Sequence, residues 1–117
     1  MTRAIVCGGR HFNDRAGLFA ALDMLHDLRP FTEIIHGAAT GADTLAGEWA
    51  ASRKVKQTPV PANWDRLGRA AGMRRNLKML YHAPDLVVAF PGGKGTQNMI
   101  DLAEGHDVPV VRAGGAR

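Results

Sequence analysis

Five short apolar runs alternate strictly with segments of helical period, and this alternation limits the folds open to the chain more than any other property of it. The runs fall at residues 4–7, 33–36, 55–60, 85–90 and 108–111, each of a length and composition suited to a buried strand. Between them, helical spacing covers residues 14–28, 42–54, 64–82 with a break expected near Gly68, and 96–104. Strands separated by helices pair in parallel, because each crossover returns the chain to the same end of the sheet. The predicted fold class is therefore α/β, a three-layer α/β/α arrangement around a mostly parallel five-stranded sheet. At 117 residues the chain fits one domain, expected over residues 1–112, with 113–117 as a short mobile tail.

In sheets of this kind ligands bind beyond the carboxyl ends of the strands, and there the sequence places its glycine-bearing loops. Gly8-Gly9-Arg10 follows the first run, a loop with Gly37, Gly41 and Asp43 follows the second, and Pro91-Gly92-Gly93-Lys94-Gly95-Thr96 follows the fourth. The last is the most specific. Its three glycines remove the Cβ atoms that would keep an anion from the backbone, and the helix beyond offers unpaired N–H groups and the positive end of a dipole. It is not a Walker A loop, because Gly93-Lys94 is followed by Gly95 and Val88 stands where the earlier glycine would be. Nor is it a dinucleotide fingerprint, which would need a glycine at Asn98. A phosphate cradle of another kind is expected, with Gly92, Gly93, Gly95 and Thr96 as its core.

Gly68, Ala71, Gly72, Arg75 and Met79 share one helical stripe, whose small residues permit close approach to the sheet. Arg75 then lies on the inward edge with Asn76 beside it, and an arginine on a packed face requires an anion. Ligand phosphate or carboxylate and a buried ion pair are the two readings. Asp43, three residues after Thr40, fits a capping box and equally a carboxylate that binds a sugar or acts as a base. Arg10 divides between phosphate contact and a surface role. Cys7 is expected to be a small buried residue, since no neighbouring feature would activate it. His36 ends a strand before Gly37 and is weighed between the ligand edge and a structural role, and Trp64 between stacking on a base and capping the core.

The five histidines show no metal-ligand spacing, and no motif calls for a metal or a cofactor. Nothing near the N-terminus resembles a signal peptide and no run reaches membrane-spanning length, so a cytoplasmic protein without membrane contact is expected. A formal net charge of +4 favours anionic partners. Much of the excess sits at Arg66, Arg69, Arg74, Arg75 and Lys78, opposed locally by Asp65 alone. A solvated helix face and a nucleic-acid contact both account for it.

Together, Gly8-Gly9-Arg10, Gly37 to Asp43 with Leu45-Ala46, Pro61-Ala62-Asn63-Trp64, Gly72 to Asn76 with Met79, and the Pro91 to Thr96 turn resemble the SLOG superfamily. Within it the chain is similar to the small proteins grouped as DUF2493 or YspA/YpsA-related. The resemblance implies a Rossmann-like fold, a nucleotide or nucleotide-derived ligand, and a homo-oligomer of at least two chains. The Lonely Guy enzymes of this superfamily are phosphoribohydrolases, which cleave the base from nucleoside 5′-monophosphates. Their signature joins an Arg-Lys pair and a nearby Met to Pro-Gly-Gly-x-Gly-Thr-x-x-Glu. Here Arg75 and Met79 match, but Asn76 replaces the Lys and Met99 stands where the Glu would be. Cleavage of an N-glycosidic bond needs a carboxylate to stabilise an oxocarbenium-like transition state or to activate water. Met99 supplies neither, which leaves Asp43, with Arg75, as the catalytic candidates and Glu48 as a substitute carboxylate, while Asp101, two residues further along the helix, is expected to point elsewhere.

Three functions follow as expectations. The first is a nucleotide-binding domain or sensor, using Gly8, Gly9, Arg10, Gly37, Gly41, Asp43, Arg75, Asn76, Gly92, Gly93, Gly95 and Thr96. The second is a phosphoribohydrolase. The third is a single-stranded nucleic-acid-binding module, similar to the DNA-processing branch of the superfamily.

Overall fold

A computed structural model describes residues 2–114, with Arg69 described through its backbone only. Strands β1 (Thr2–Cys7), β2 (Phe31–His36), β3 (Lys56–Pro59), β4 (Leu86–Ala89) and β5 (Val110–Arg112) form one sheet in the order β3-β2-β1-β4-β5, with every pairing parallel. Helices α1 (Arg15–Leu28), α2 (Ala42–Ser52), α3 (Trp64–Leu67), α4 (Ala71–Leu80) and α5 (Lys94–Gly105) connect them. The sheet is wholly parallel, so the expected α/β class is realised in its purest form.

The period of two along β1 divides the interior into two cores. Ala4 and Val6 join Leu18 and Leu22 of α1 and Ala46, Trp49 and Ala50 of α2. Ile5 and Cys7 face the other way, to Met79 and Leu80 of α4 and Met99, Ile100 and Ala103 of α5. β1 is thus buried on both faces, as its unbroken apolar run requires. Each Val, Ile, Leu or Met side chain among these, taken from water, contributes about 1.5–3 kcal/mol.

The chain winds outward from β1 to β2 and β3, then recrosses through α3 and α4 to place β4 on the other side of β1. The switch point lies between β1 and β4, where diverging loops leave a crevice. Gly8-Gly9 leaves β1 there and the glycine turn leaves β4. The Gly9 N–H donates to the Pro91 carbonyl at 2.8 Å and pins the two loops together.

Several local expectations shift. α5 begins at Lys94, two residues before Thr96, because Gly93 rather than a side chain marks its cap. The break expected near Gly68 is present, however: its φ of 54° leaves the helical region, and a 3-10 turn over Gly68–Ala70 joins α3 to α4. Gly68 consequently leaves the inward stripe, and a Cβ there would meet open space. Ala113, expected in the tail, donates its N–H to the Ala89 carbonyl at 2.8 Å and packs against the α1 side of the core. Of that segment, residues 115–117 lie outside the described residues. No described helix is long and apolar enough to cross a membrane.

Candidate functional site

The loops after β1 and β4, the start of α2 and the first turns of α4 and α5 enclose a cleft of about 890 Å³. Cys7 forms part of its wall, Gly8, Gly9 and Arg10 one side, and Pro91, Gly92, Gly93, Gly95 and Thr96 the other. Asp43, Arg75 and Asn76 reach in from α2 and α4. Ten of the expected ligand residues therefore converge. Gly37 and Gly41 stand behind the lining.

Close approach explains the glycines more firmly than ligand contact does. A Cβ on Gly8 would lie 2.6 Å from that of Ala42, and one on Gly92 would strike the Thr96 hydroxyl and the Gly9 nitrogen. A Cβ on Gly37 would collide with the Arg75 guanidinium and approach Asp43 to 2.9 Å. Gly41 takes φ of 77° against the Gly9 and Arg10 carbonyls, a conformation costly for other residues. By contrast, Gly93 and Gly95 have open space where a Cβ would stand. These two keep the backbone of the turn bare toward the cleft.

α5 is a twelve-residue helix with no side-chain cap. Its first N–H groups have no intrahelical partners and its dipole places positive charge there, with Lys94 adjoining. Asn76 braces this terminus by donating from Nδ2 to the Gly95 carbonyl at 3.2 Å and to Asn98 Oδ1 at 2.9 Å. Arg75 donates from Nε to Asn76 Oδ1 at 3.0 Å and from Nη1 to the Gly37 carbonyl at 2.5 Å. A chain of contacts thus runs from the β2 loop through Arg75 and Asn76 to α5.

Asp43 is 6% exposed, and burial pushes its carboxyl above the ordinary value of 3.8. The Ala39 N–H, which donates to Oδ2 at 3.2 Å, and the charge of Arg75 oppose that shift without cancelling it. Burial likewise lowers the pKa of Arg75, against the attraction of Asp43. The capping box expected for Asp43 is absent. Gly41 is the cap residue of α2, Thr40 turns its hydroxyl to the Arg10 carbonyl, and Asp43 bonds Ala39 instead. Burial pushes the Cys7 thiol up to about 12, with Asp43 adding to the shift and Arg75 opposing it, so Cys7 is no nucleophile.

His36 is a structural residue. Its Nδ1 accepts the Ala38 N–H at 3.0 Å, which leaves Nε2 to donate to Gln57 Oε1 at 3.0 Å. Met99 is fully buried against the sheet and does not line the cleft. Glu48 pairs with Arg15 at 3.6 Å and Asp101 accepts from Gln97 at 2.8 Å, both away from the lining. Among the described residues Asp43 is thus the single carboxylate of the cleft. Among them also no group of three His, Cys, Asp or Glu side chains could hold a metal.

Other lining residues escaped the sequence reading as ligand candidates. His11 and Phe12 directly follow Gly8-Gly9-Arg10, and Lys94 lies inside the glycine turn, so proximity to a motif was their available signal. Met73 carried none. Trp64, half exposed at the mouth, has the Arg10 guanidinium 5.6 Å from its ring centre.

A wholly parallel sheet with its crevice at the switch point defines a Rossmann-like α/β domain. Residues 2–67 match the YspA, cpYpsA-related SLOG family (YAcAr), and the chain belongs to that family. It is 33% identical over 122 aligned residues to the Gene 61 protein of Mycobacterium phage D29, an alignment that covers 97% of this chain and 98% of that protein. Among solved structures it is similar to DNA processing protein A (DprA) from Streptococcus pneumoniae, with a TM-score of 0.55 at 14% identity over 97% of this chain. The chain spans 59% of the length of that structure. At such identity the likeness bears on the fold alone.

Proposed function

We propose that the cleft holds a nucleotide or nucleotide-derived ligand by its phosphate, and that its role is binding rather than turnover. One observation carries this reading: the uncapped terminus of α5, bare of side chains at Gly93 and Gly95, opens into the same cleft as Arg75 and Asp43. The α5 terminus and Lys94 take the phosphate, and Arg75 supplies a further positive charge. Asp43, an acceptor beside them, suits the sugar hydroxyls. Membership of a SLOG family agrees with such a ligand, and a volume of about 890 Å³ accommodates it.

Calorimetry against mononucleotides, cyclic nucleotides, NAD and ADP-ribose tests the proposal. Binding by one of these is expected, lost in Arg75→Ala. Because Arg75 also holds the Gly37 carbonyl, Gly95→Asp provides the cleaner variant. A carboxylate in the first turn of α5 favours the helix but repels phosphate, so affinity should vanish while the melting temperature holds or rises. Retained affinity in Gly95→Asp, or no binding by any of the panel, overturns the reading. The dimer implied by the family resemblance belongs to the same picture, and sedimentation at micromolar concentration tests it.

The phosphoribohydrolase reading retains one supporting observation, the position of Asp43 in the cleft wall. A lone carboxylate could stabilise an oxocarbenium-like centre electrostatically, without the paired acid and base of ordinary glycosidases. Free base released from a nucleoside 5′-monophosphate, and abolished in Asp43→Asn, would establish it. No release at high protein concentration would remove it.

A further inference from the structure

Trp64 presents a large aromatic face where the rest of the cleft offers phosphate and sugar contacts. It opens the four-residue helix α3, and the residue remains 48% exposed although it lines the cleft. Its position is determined from both sides. Asn63 caps α3 by accepting the Arg66 N–H at 3.2 Å, and Gly72 of α4 lies so near the indole edge that a Cβ would stand 3.3 Å from Trp64 Cη2. The ring therefore rests against bare helix backbone and is not buried in a core. Met73 beside it adds an apolar, 60% exposed side chain to the same mouth.

Over the ring stands Arg10, with its guanidinium carbon 5.6 Å from the centroid. A planar base inserted between two flat groups needs about 3.5 Å on each face, or about 7 Å in all. Arg10 has to lift by about 1.5 Å from its 5.6 Å position to admit one, a small movement for an exposed arginine. Aromatic rings and guanidinium planes are the two surfaces on which unpaired bases stack.

The spacing along α4 fits a single nucleotide. Gly72 touches Trp64 and Asn76 touches Gly95 at the phosphate end, and the helix advances by about 6 Å between them. We infer that Trp64 and Arg10 form a base clamp, in which the base of a mononucleotide lies between the indole and the guanidinium while its phosphate sits at α5. This inference rests on the nucleotide reading above and adds the half of the ligand that reading left open. Recognition by stacking implies tolerance among bases, with purines held more tightly because they cover more of the indole.

Calorimetry with the four common nucleoside 5′-monophosphates and with ribose 5-phosphate, on wild type, Trp64→Ala, Trp64→Phe and Arg10→Lys, tests the clamp. Melting curves establish that each variant folds. Trp64→Ala should weaken the monophosphates about tenfold to a hundredfold and leave ribose 5-phosphate unchanged. Trp64→Phe should restore most of the loss. Arg10→Lys, which keeps the charge but not the plane, should weaken the monophosphates alone. Equal loss for ribose 5-phosphate, or monophosphate affinity unchanged in Trp64→Ala, overturns the clamp while leaving the phosphate site standing. Absence of binding by every one of these probes to the wild type also overturns the clamp, whereas the nucleotide reading falls only if cyclic nucleotides, NAD and ADP-ribose fail to bind as well.

Discussion

Asp23 and Asp43 each stand near an arginine, yet they occupy opposite electrical circumstances. On the outer face of the α1–α2 layer, Arg53 forks onto Asp23 at 2.8 and 2.7 Å, and the indole N–H of Trp49 adds a third donor at 2.9 Å. Those bonds, Arg53 first, pull the Asp23 carboxyl below its ordinary value. In the cleft, burial pushes Asp43 above it, and the nearest guanidinium is engaged with Gly37 and Asn76. The first carboxylate is kept charged by a surface that stabilises it. The second is held where its charge costs stability, an arrangement the fold alone does not call for. A ligand donor reaching Asp43 in the cleft would offset that cost.

Trp49→Ala should lose about 3–5 kcal/mol in a denaturant titration, because a fully buried indole and its bond to Asp23 go together. Surviving molecules should retain their ligand affinity, since α2 presents Asp43 at its other end. Gly37→Ala should act the opposite way. Its Cβ would displace Arg75, so calorimetry should show ligand affinity reduced at least tenfold with a smaller loss of stability.

Asp43→Asn sharpens the contrast through pH. As pH falls from neutral, Asp43 takes up its proton at a higher pH in the folded state than in the unfolded one. Between 3.8 and its raised pKa the folded protein binds more protons, so this residue's contribution to stability grows as pH falls through that window. Melting temperatures followed from roughly pH 7 to 4 should thus converge between wild type and Asp43→Asn, with the variant the more stable at pH 7. Asp23 has the reverse sign. Its stabilisation is present above 3.8 and lost as pH falls through its lowered pKa. The smallest effect belongs to Arg53→Ala, a slight drop in melting temperature that fades with added salt and leaves binding untouched.

The alternation of apolar runs with helical segments made the parallel sheet and the edge that carries its cleft legible, because both follow from periodicity and chain direction. The glycine turn was legible for the same reason. What escaped required three-dimensional neighbours. The Thr40 to Asp43 spacing matches a capping box, but the Thr40 hydroxyl donates to the Arg10 carbonyl and the Ala39 N–H donates to Asp43. His36 sat at a strand end as a ligand residue would, yet Gln57 of the adjacent strand satisfied it. Gly37 has a packing role that only the position of Arg75, 38 residues on, explains. The start of α5 lies two residues before the expected one, because Lys94 and Gly95 carry no apolar period.

The strand order has a consequence for how the molecule is made. Of the five strands of the sheet β1 comes first in sequence and lies at the centre, but one of its two neighbours, β4, begins only at Leu86. The Arg3 N–H finds the Asp85 carboxylate at 2.8 Å across 82 positions of sequence. On a ribosome, β1 must wait half-paired, its second edge uncovered, until β4 has emerged. The cleft is completed by that same late docking, so a ligand would seal a finished domain and could not template an unfinished one.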